Sequence, residues 1–103
     1  FYNNNSKLNT RRIKMAIVKI PTPLRNLTEN KTEIQINGKT IIEIIENLDS
    51  MYIGIKDKIL NNGELKHFVN IYVNGEDIRY INSLETSIDN NDEISIVPAV
   101  AGG

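Results

Sequence analysis

The residues best placed for chemistry are Val97–Gly103, VPAVAGG: a proline, small side chains and two glycines. Folding gains nothing from Gly102-Gly103, since glycine loses more backbone freedom on ordering than any other residue. A thin, flexible, reactive end does need it. A free α-carboxylate on Gly103 would be ionised at neutral pH and a poor electrophile, so reaction there requires activation from outside. Pro98 has no N–H to extend a ladder and is expected to release the chain from its last strand. Few other groups compete. Cysteine is absent, which excludes disulfides, thiolate nucleophiles and cysteine-bound zinc or iron–sulfur clusters. The single histidine, His67, stands at the edge of a strand-like run and reads as a partly exposed imidazole.

The 103 residues suit one domain with a modest core. A buried multi-residue catalytic pocket would be cramped in it. No apolar run approaches the roughly 20 residues that span a bilayer, and no signal-peptide core is present, so a cytoplasmic protein is expected. Charge is divided unevenly. Residues 1–14 carry Lys7, Arg11, Arg12 and Lys14 and no acid, whereas residues 15–103 hold 13 acids against 8 bases, a net charge of −5. An acidic body argues against nucleic acid and for a protein partner with a basic dock.

The elements that must position the tail follow from periodicity. Residues 1–14, FYNNNSKLNTRRIK, have no apolar period and read as a disordered basic extension: a targeting remnant, upstream translated sequence or a segment without a role. Met15 opens the folded unit, 15–98. Residues 16–20, AIVKI, alternate as a strand that Pro21 and Pro23 end, and 24–30 form a loop. Residues 31–37 alternate again and can close a hairpin with the first strand. Thr40 with Glu43 makes a capping box, and Ile41, Ile44, Ile45, Leu48 and Tyr52 follow at helical spacing, with Gly54 as a stop. Residues 68–75, FVNIYVNG, are the clearest strand and end in an Asn-Gly turn; 76–81 read as a short returning strand, and EISIVPAV as the last. Strand, strand, helix, strand, short strand, strand describes an α+β fold of the β-grasp, ubiquitin-like type. A mixed sheet of four to five strands carries one main helix on one face, with 99–103 as a flexible tail.

IPTPLR (20–25), HFVNIYVNGEDIRY (67–80) and VPAVAGG (97–103) resemble the ubiquitin-like sulfur-carrier proteins. Within that family the chain is similar to the carriers of cysteine biosynthesis, the CysO type, more than to those of molybdopterin synthesis (MoaD) or thiazole synthesis (ThiS). The resemblance implies a protein cosubstrate, not itself an enzyme and binding no cofactor. An E1-like enzyme would adenylate Gly103 with ATP, and sulfur would displace AMP to leave a thiocarboxylate. The acceptor would be a pyridoxal-phosphate cysteine synthase, with a zinc peptidase releasing the cysteine formed on Gly103. The alternatives are the small subunit of molybdopterin synthase, working with the large subunit, or a ubiquitin-like modifier joined to lysines.

Alternation along 68–74 turns Val69, Ile71 and Val73 to the helix and Phe68, Asn70 and Tyr72 away, joined by Val97 and Ile17. Such an apolar patch on an open sheet face is expected to dock partners. Ala99, Val100 and Ala101 would pass through a narrow apolar groove toward the partner's active site. Arg79 is expected either to meet acids of a partner or to pair at the surface with Glu76 or Asp77.

Overall fold

The computed structural model describes residues 14–99. The expected disorder of residues 1–13 and flexibility of 100–103 lie outside the described residues.

Two alternating segments, β1 (Met15–Lys19) and β2 (Glu33–Asn37), pair antiparallel, with Val18 opposite Ile34 and Ala16 opposite Ile36. After β2 the period changes and α1 (Ile41–Met51) begins. Thr40 Oγ1 accepts from the Glu43 N–H at 3.3 Å, as the capping pattern requires. Glu43 Oε1 reaches one residue further back than expected, to the Lys39 N–H at 2.9 Å. A short α2 (Ile55–Ile59) follows, and then a two-rung hairpin of β3 (Leu60–Asn61) and β4 (Glu64–Leu65). Gly54, read as a helix stop, sits at φ 104° between the helices, a conformation suited to glycine. Asp49 Oδ1 accepts from the N–H groups of Gly54 and Lys56, both at 3.0 Å, and so holds the second helix start.

The strands β5 (Val69–Val73) and β6 (Glu76–Asp77) are joined by Asn74 and Gly75, both at positive φ, the two-residue turn that Asn-Gly favours. The last strand, β7 (Glu93–Pro98), runs parallel to β1 and antiparallel to β5. The five-stranded order is β2-β1-β7-β5-β6, so the final strand lies at the centre. This is the mixed β-grasp sheet that the pattern predicted.

Its core is one layer of aliphatics between sheet and helix. Ala16, Val18, Ile34, Ile36, Val69, Ile71, Val73, Ile94 and Ile96 are buried, and so are Ile41, Ile44, Ile45 and Leu48 of α1. Each fully buried isoleucine or leucine contributes about 1.5–3 kcal/mol relative to exposure. Among the described residues, α1 packs on this one side of the sheet only.

Four readings need correction. Residues expected as a loop at 24–30 lie mostly in a 3-10 helix, Thr22–Thr28, whose Leu24 and Thr28 are buried. Prolines at 21 and 23 preset its φ, and the Thr28 hydroxyl donates to the Lys31 carbonyl at 3.0 Å. The strand expected over 76–81 stops after two residues. The Asp77 carboxylate accepts from the Arg79 N–H at 2.8 Å and turns the chain into a 3-10 segment, Ile78–Tyr80, with Ile78 fully buried. Lys14, placed in the extension, is tied to the fold: its carbonyl accepts from the Gly38 N–H at 3.0 Å, and its ammonium lies 3.3 Å from Asp89.

The fourth correction concerns Pro98. It pairs opposite Val69 within the ladder, and the Ala99 N–H beyond it donates to the Phe68 carbonyl at 2.6 Å. Antiparallel strands exchange bonds at every second residue. On β7 those residues are the odd-numbered ones, as the Asn74 N–H to Glu93 carbonyl bond at 2.8 Å also shows. The nitrogen of Pro98 therefore points toward β1, whose pairing with β7 ends at Lys19 opposite Ser95. Proline removes a donor that had no partner there. The chain stays in the sheet through Ala99.

Candidate functional site

The face of the sheet opposite α1 can be assembled strand by strand. Ile17 of β1, Asn70 and Tyr72 of β5, and Glu93, Ser95 and Val97 of β7 all point to it by alternation. Val97 lies opposite Asn70, and Tyr72 opposite Ser95. Phe68 is 51% exposed and Val97 43%, whereas Tyr72 is half-buried among its neighbours. Lys66 holds its ammonium 5.9 Å from the centre of the Phe68 ring, a favourable cation–π placement. Lys19 and Glu93 form an ion pair of 3.4 Å on the same side. The apolar residues of this patch are exposed Phe68 and Val97, near the end where β7 finishes, and half-buried Tyr72 further along β5 opposite Ser95.

Ala99 is exposed and is fixed by its single bond to Phe68. The residue that anchors the beginning of the tail is thus also the most exposed apolar member of the patch. Val100, Ala101, Gly102 and Gly103 lie outside the described residues, so the structure locates their point of departure only. His67 is exposed, one residue before Phe68.

Arg79 departs from the surface ion pair expected for it with Glu76 or Asp77. Its guanidinium pairs with neither Glu76 nor Asp77. Nη2 donates to the carbonyls of Lys66 at 2.8 Å and Val69 at 2.9 Å, and Nη1 to Asn70 Oδ1 at 2.6 Å. Asp77 instead accepts from the Arg79 backbone. Lys66 and Asn70 thereby join the site, which the sequence did not indicate for Lys66. Only the outward register of Asn70 was readable. No group of three or more potential metal ligands is found among the described residues. None of their helices is long and apolar enough to cross a membrane.

A family model described as the ThiS family matches residues 18–103. The chain belongs to the ThiS family. It is 42% identical over 89 residues to the sulfur carrier protein CysO of Mycobacterium tuberculosis, covering 84% of this chain and 96% of that protein. In structure it is similar to the chain matched in the BexX/CysO complex of Amycolatopsis orientalis, with a TM-score of 0.82, 40% identity, and coverage of 85% of this chain and 99% of the other. It is also similar to the small archaeal modifier protein SAMP1 of Methanosarcina acetivorans, at a TM-score of 0.77 and 30% identity, covering 89% of this chain and 99% of that one. The matched segments are the ones that build the sheet, the patch and the root of the tail.

Proposed function

We propose that this chain is a sulfur carrier, loaded and discharged at Gly103 by partner enzymes. The observation that carries the reading is the coincidence of two things at the end of the central strand. The family match runs through Gly103, and the last described backbone bond, Ala99 to Phe68, starts the tail beside an exposed apolar face.

Loading takes two steps. A carboxylate oxygen of Gly103 attacks the α-phosphorus of ATP on an E1-like enzyme, and pyrophosphate leaves. A hydrosulfide equivalent then attacks the acyl carbon; the C–S bond forms, the C–O bond to AMP breaks, and AMP departs, leaving a thiocarboxylate. This chain supplies the acyl group, the docking face and the thin approach. Without a Cβ, Gly102 and Gly103 fit a channel that a larger residue would meet, and Ala99, Val100 and Ala101 keep the approach narrow. Phe68, Tyr72 and Val97 dock the enzyme, with Arg79 behind them. The acceptor is a pyridoxal-phosphate cysteine synthase, and a zinc peptidase on the same route releases cysteine; ATP, pyridoxal phosphate and zinc all belong to partners. Similarity to CysO supports this acceptor over molybdopterin synthase.

Intact-mass spectrometry after incubation with ATP, a sulfur donor and the activating enzyme tests the proposal. A mass gain equal to oxygen replaced by sulfur, lost on deleting Gly102-Gly103, is expected. No gain with an enzyme that loads a related carrier would refute it. Similarity to SAMP1 favours one second reading, conjugation to lysines, which would appear as a ladder of isopeptide-linked products with no sulfur gain.

A further inference from the structure

We infer that Arg79 is a positioning residue for the root of the tail, acting through Phe68 without touching the tail itself. The inference rests on the carrier reading only for its functional consequence. Its structural content stands on the geometry of one guanidinium.

The two carbonyls that Nη2 engages, Lys66 at 2.8 Å and Val69 at 2.9 Å, bracket the segment that contains Phe68. Nη1 extends the grip to Asn70 on the open face. Between the two held carbonyls lies the Phe68 carbonyl, which accepts the Ala99 N–H at 2.6 Å. The guanidinium thus fixes the peptides on both sides of the group from which the tail begins. Lys66, whose carbonyl it holds, also carries the ammonium placed over the Phe68 ring. One side chain therefore sets both the anchor of the tail and the orientation of the aromatic next to it.

Arg79 is itself held from behind. Asp77 accepts from its backbone N–H, and buried Ile78 pins the turn against the core. All three acceptors of its guanidinium are neutral, so the arrangement is not an ion pair that a lysine could replace. A planar fork can hold two carbonyls with one nitrogen and a third acceptor with the other; a single ammonium, a point charge on a flexible stem, cannot reproduce those directions. The grip lies outside the aliphatic layer, so its loss should loosen residues 66–68 and leave the sheet intact.

The test compares wild type with Arg79→Lys and Arg79→Met. By amide hydrogen exchange on the protein alone, the Ala99 amide should lose its protection of about fivefold in both variants, while the amides of Tyr72 and Ser95, paired in the ladder between β5 and β7, keep their rates. An unchanged Ala99 amide, or a parallel acceleration of all three, overturns the inference, because the latter would mean general destabilisation. ATP–pyrophosphate exchange with the activating enzyme gives the functional readout. The KM for the carrier should rise about tenfold with kcat within about twofold, and Lys should not rescue. A fall in kcat alone, or full rescue by Lys, overturns the positioning role. If wild-type chain drives no exchange at all, the carrier reading fails, and the Ala99 amide still decides the structural claim.

Discussion

Replacing Pro98 by alanine tests whether proline ends the sheet or is merely tolerated at its edge. The ladder assigns the odd residues of β7 to β5, so position 98 faces the β1 side, where pairing has already stopped at Lys19 opposite Ser95. A new N–H there finds no strand acceptor. No hydrogen bond is gained, and the main cost is the greater freedom of the unfolded chain, about 0.4–1 kcal/mol. The bond that matters is the next one, Ala99 to Phe68 at 2.6 Å. At about 1 kcal/mol net it would slow local exchange about fivefold. In Pro98→Ala the amide at position 98 should therefore exchange like an open chain, the Ala99 amide should stay several-fold protected, and loading of Gly103 should keep its rate. Urea unfolding and site-resolved exchange read these quantities separately. A protected amide at position 98, or a carrier that no longer loads, would refute the alternation argument and restore proline as the device that frees the tail.

Tyr72→Glu places a charge in the middle of the docking patch, and the activating enzyme's Kd should rise at least about tenfold, or about 1.4 kcal/mol, with the far-UV spectrum unchanged; equal affinity by calorimetry would remove Tyr72 from the interface. Gly38→Ala puts a Cβ 2.9 Å from Ile44 Cδ1 and 3.1 Å from the Ile44 backbone nitrogen. Overpacking at this junction of β2 and α1 should cost about 1–3 kcal/mol in urea unfolding, and an unchanged midpoint would contradict it. Lys31 is raised above its ordinary value of 10.5 by its hydrogen bond to the Tyr52 hydroxyl, 3.2 Å away, and by the charge of Tyr52. Because the folded value lies above the unfolded one, the stabilisation is present below 10.5 and lost as pH rises through the folded value. The stability gap between wild type and Tyr52→Phe should accordingly narrow above that pH, and a gap that widens there would reverse the sign.

The sheet and main helix were legible because their signals are periodic. Strict alternation in β5 set both its buried and its open residues, and the helix stripe from Ile41 to Leu48 could face only one way. What escaped the sequence depends on partners distant along the chain. The proline at 98 reads as a terminator until the phase of hydrogen bonding is known, and that phase is fixed by β5, about 30 residues earlier. Arg79 reads as a surface charge because two of its three acceptors are backbone carbonyls, which every residue has and no pattern marks. The strand expected over 76–81 was cut short by one side chain, Asp77, accepting from a backbone N–H two residues on. Such local competition with the ladder is an Asp habit that alternation alone does not weigh.

Moving the root of the tail from Pro98 to Ala99 changes what a partner must do. Four residues, 100–103, follow Ala99, and a fully extended chain covers at most about 3.3–3.6 Å per residue. On the carrier reading, the loaded end at Gly103 therefore lies no further than about 18 Å from the held Ala99 nitrogen, across five residues. On the carrier reading, an adenylating centre within that distance of Ala99 comes close to Phe68 and Val97, which border the same point and are 51% and 43% exposed. Recognition of the face and entry of the tail then become one event, since an enzyme reading only the glycines would still have to meet the patch. The aliphatic layer on the other side of the sheet makes this possible. It buries the inward residues of β5 and β7 against the core, while their outward residues stay half-buried or exposed.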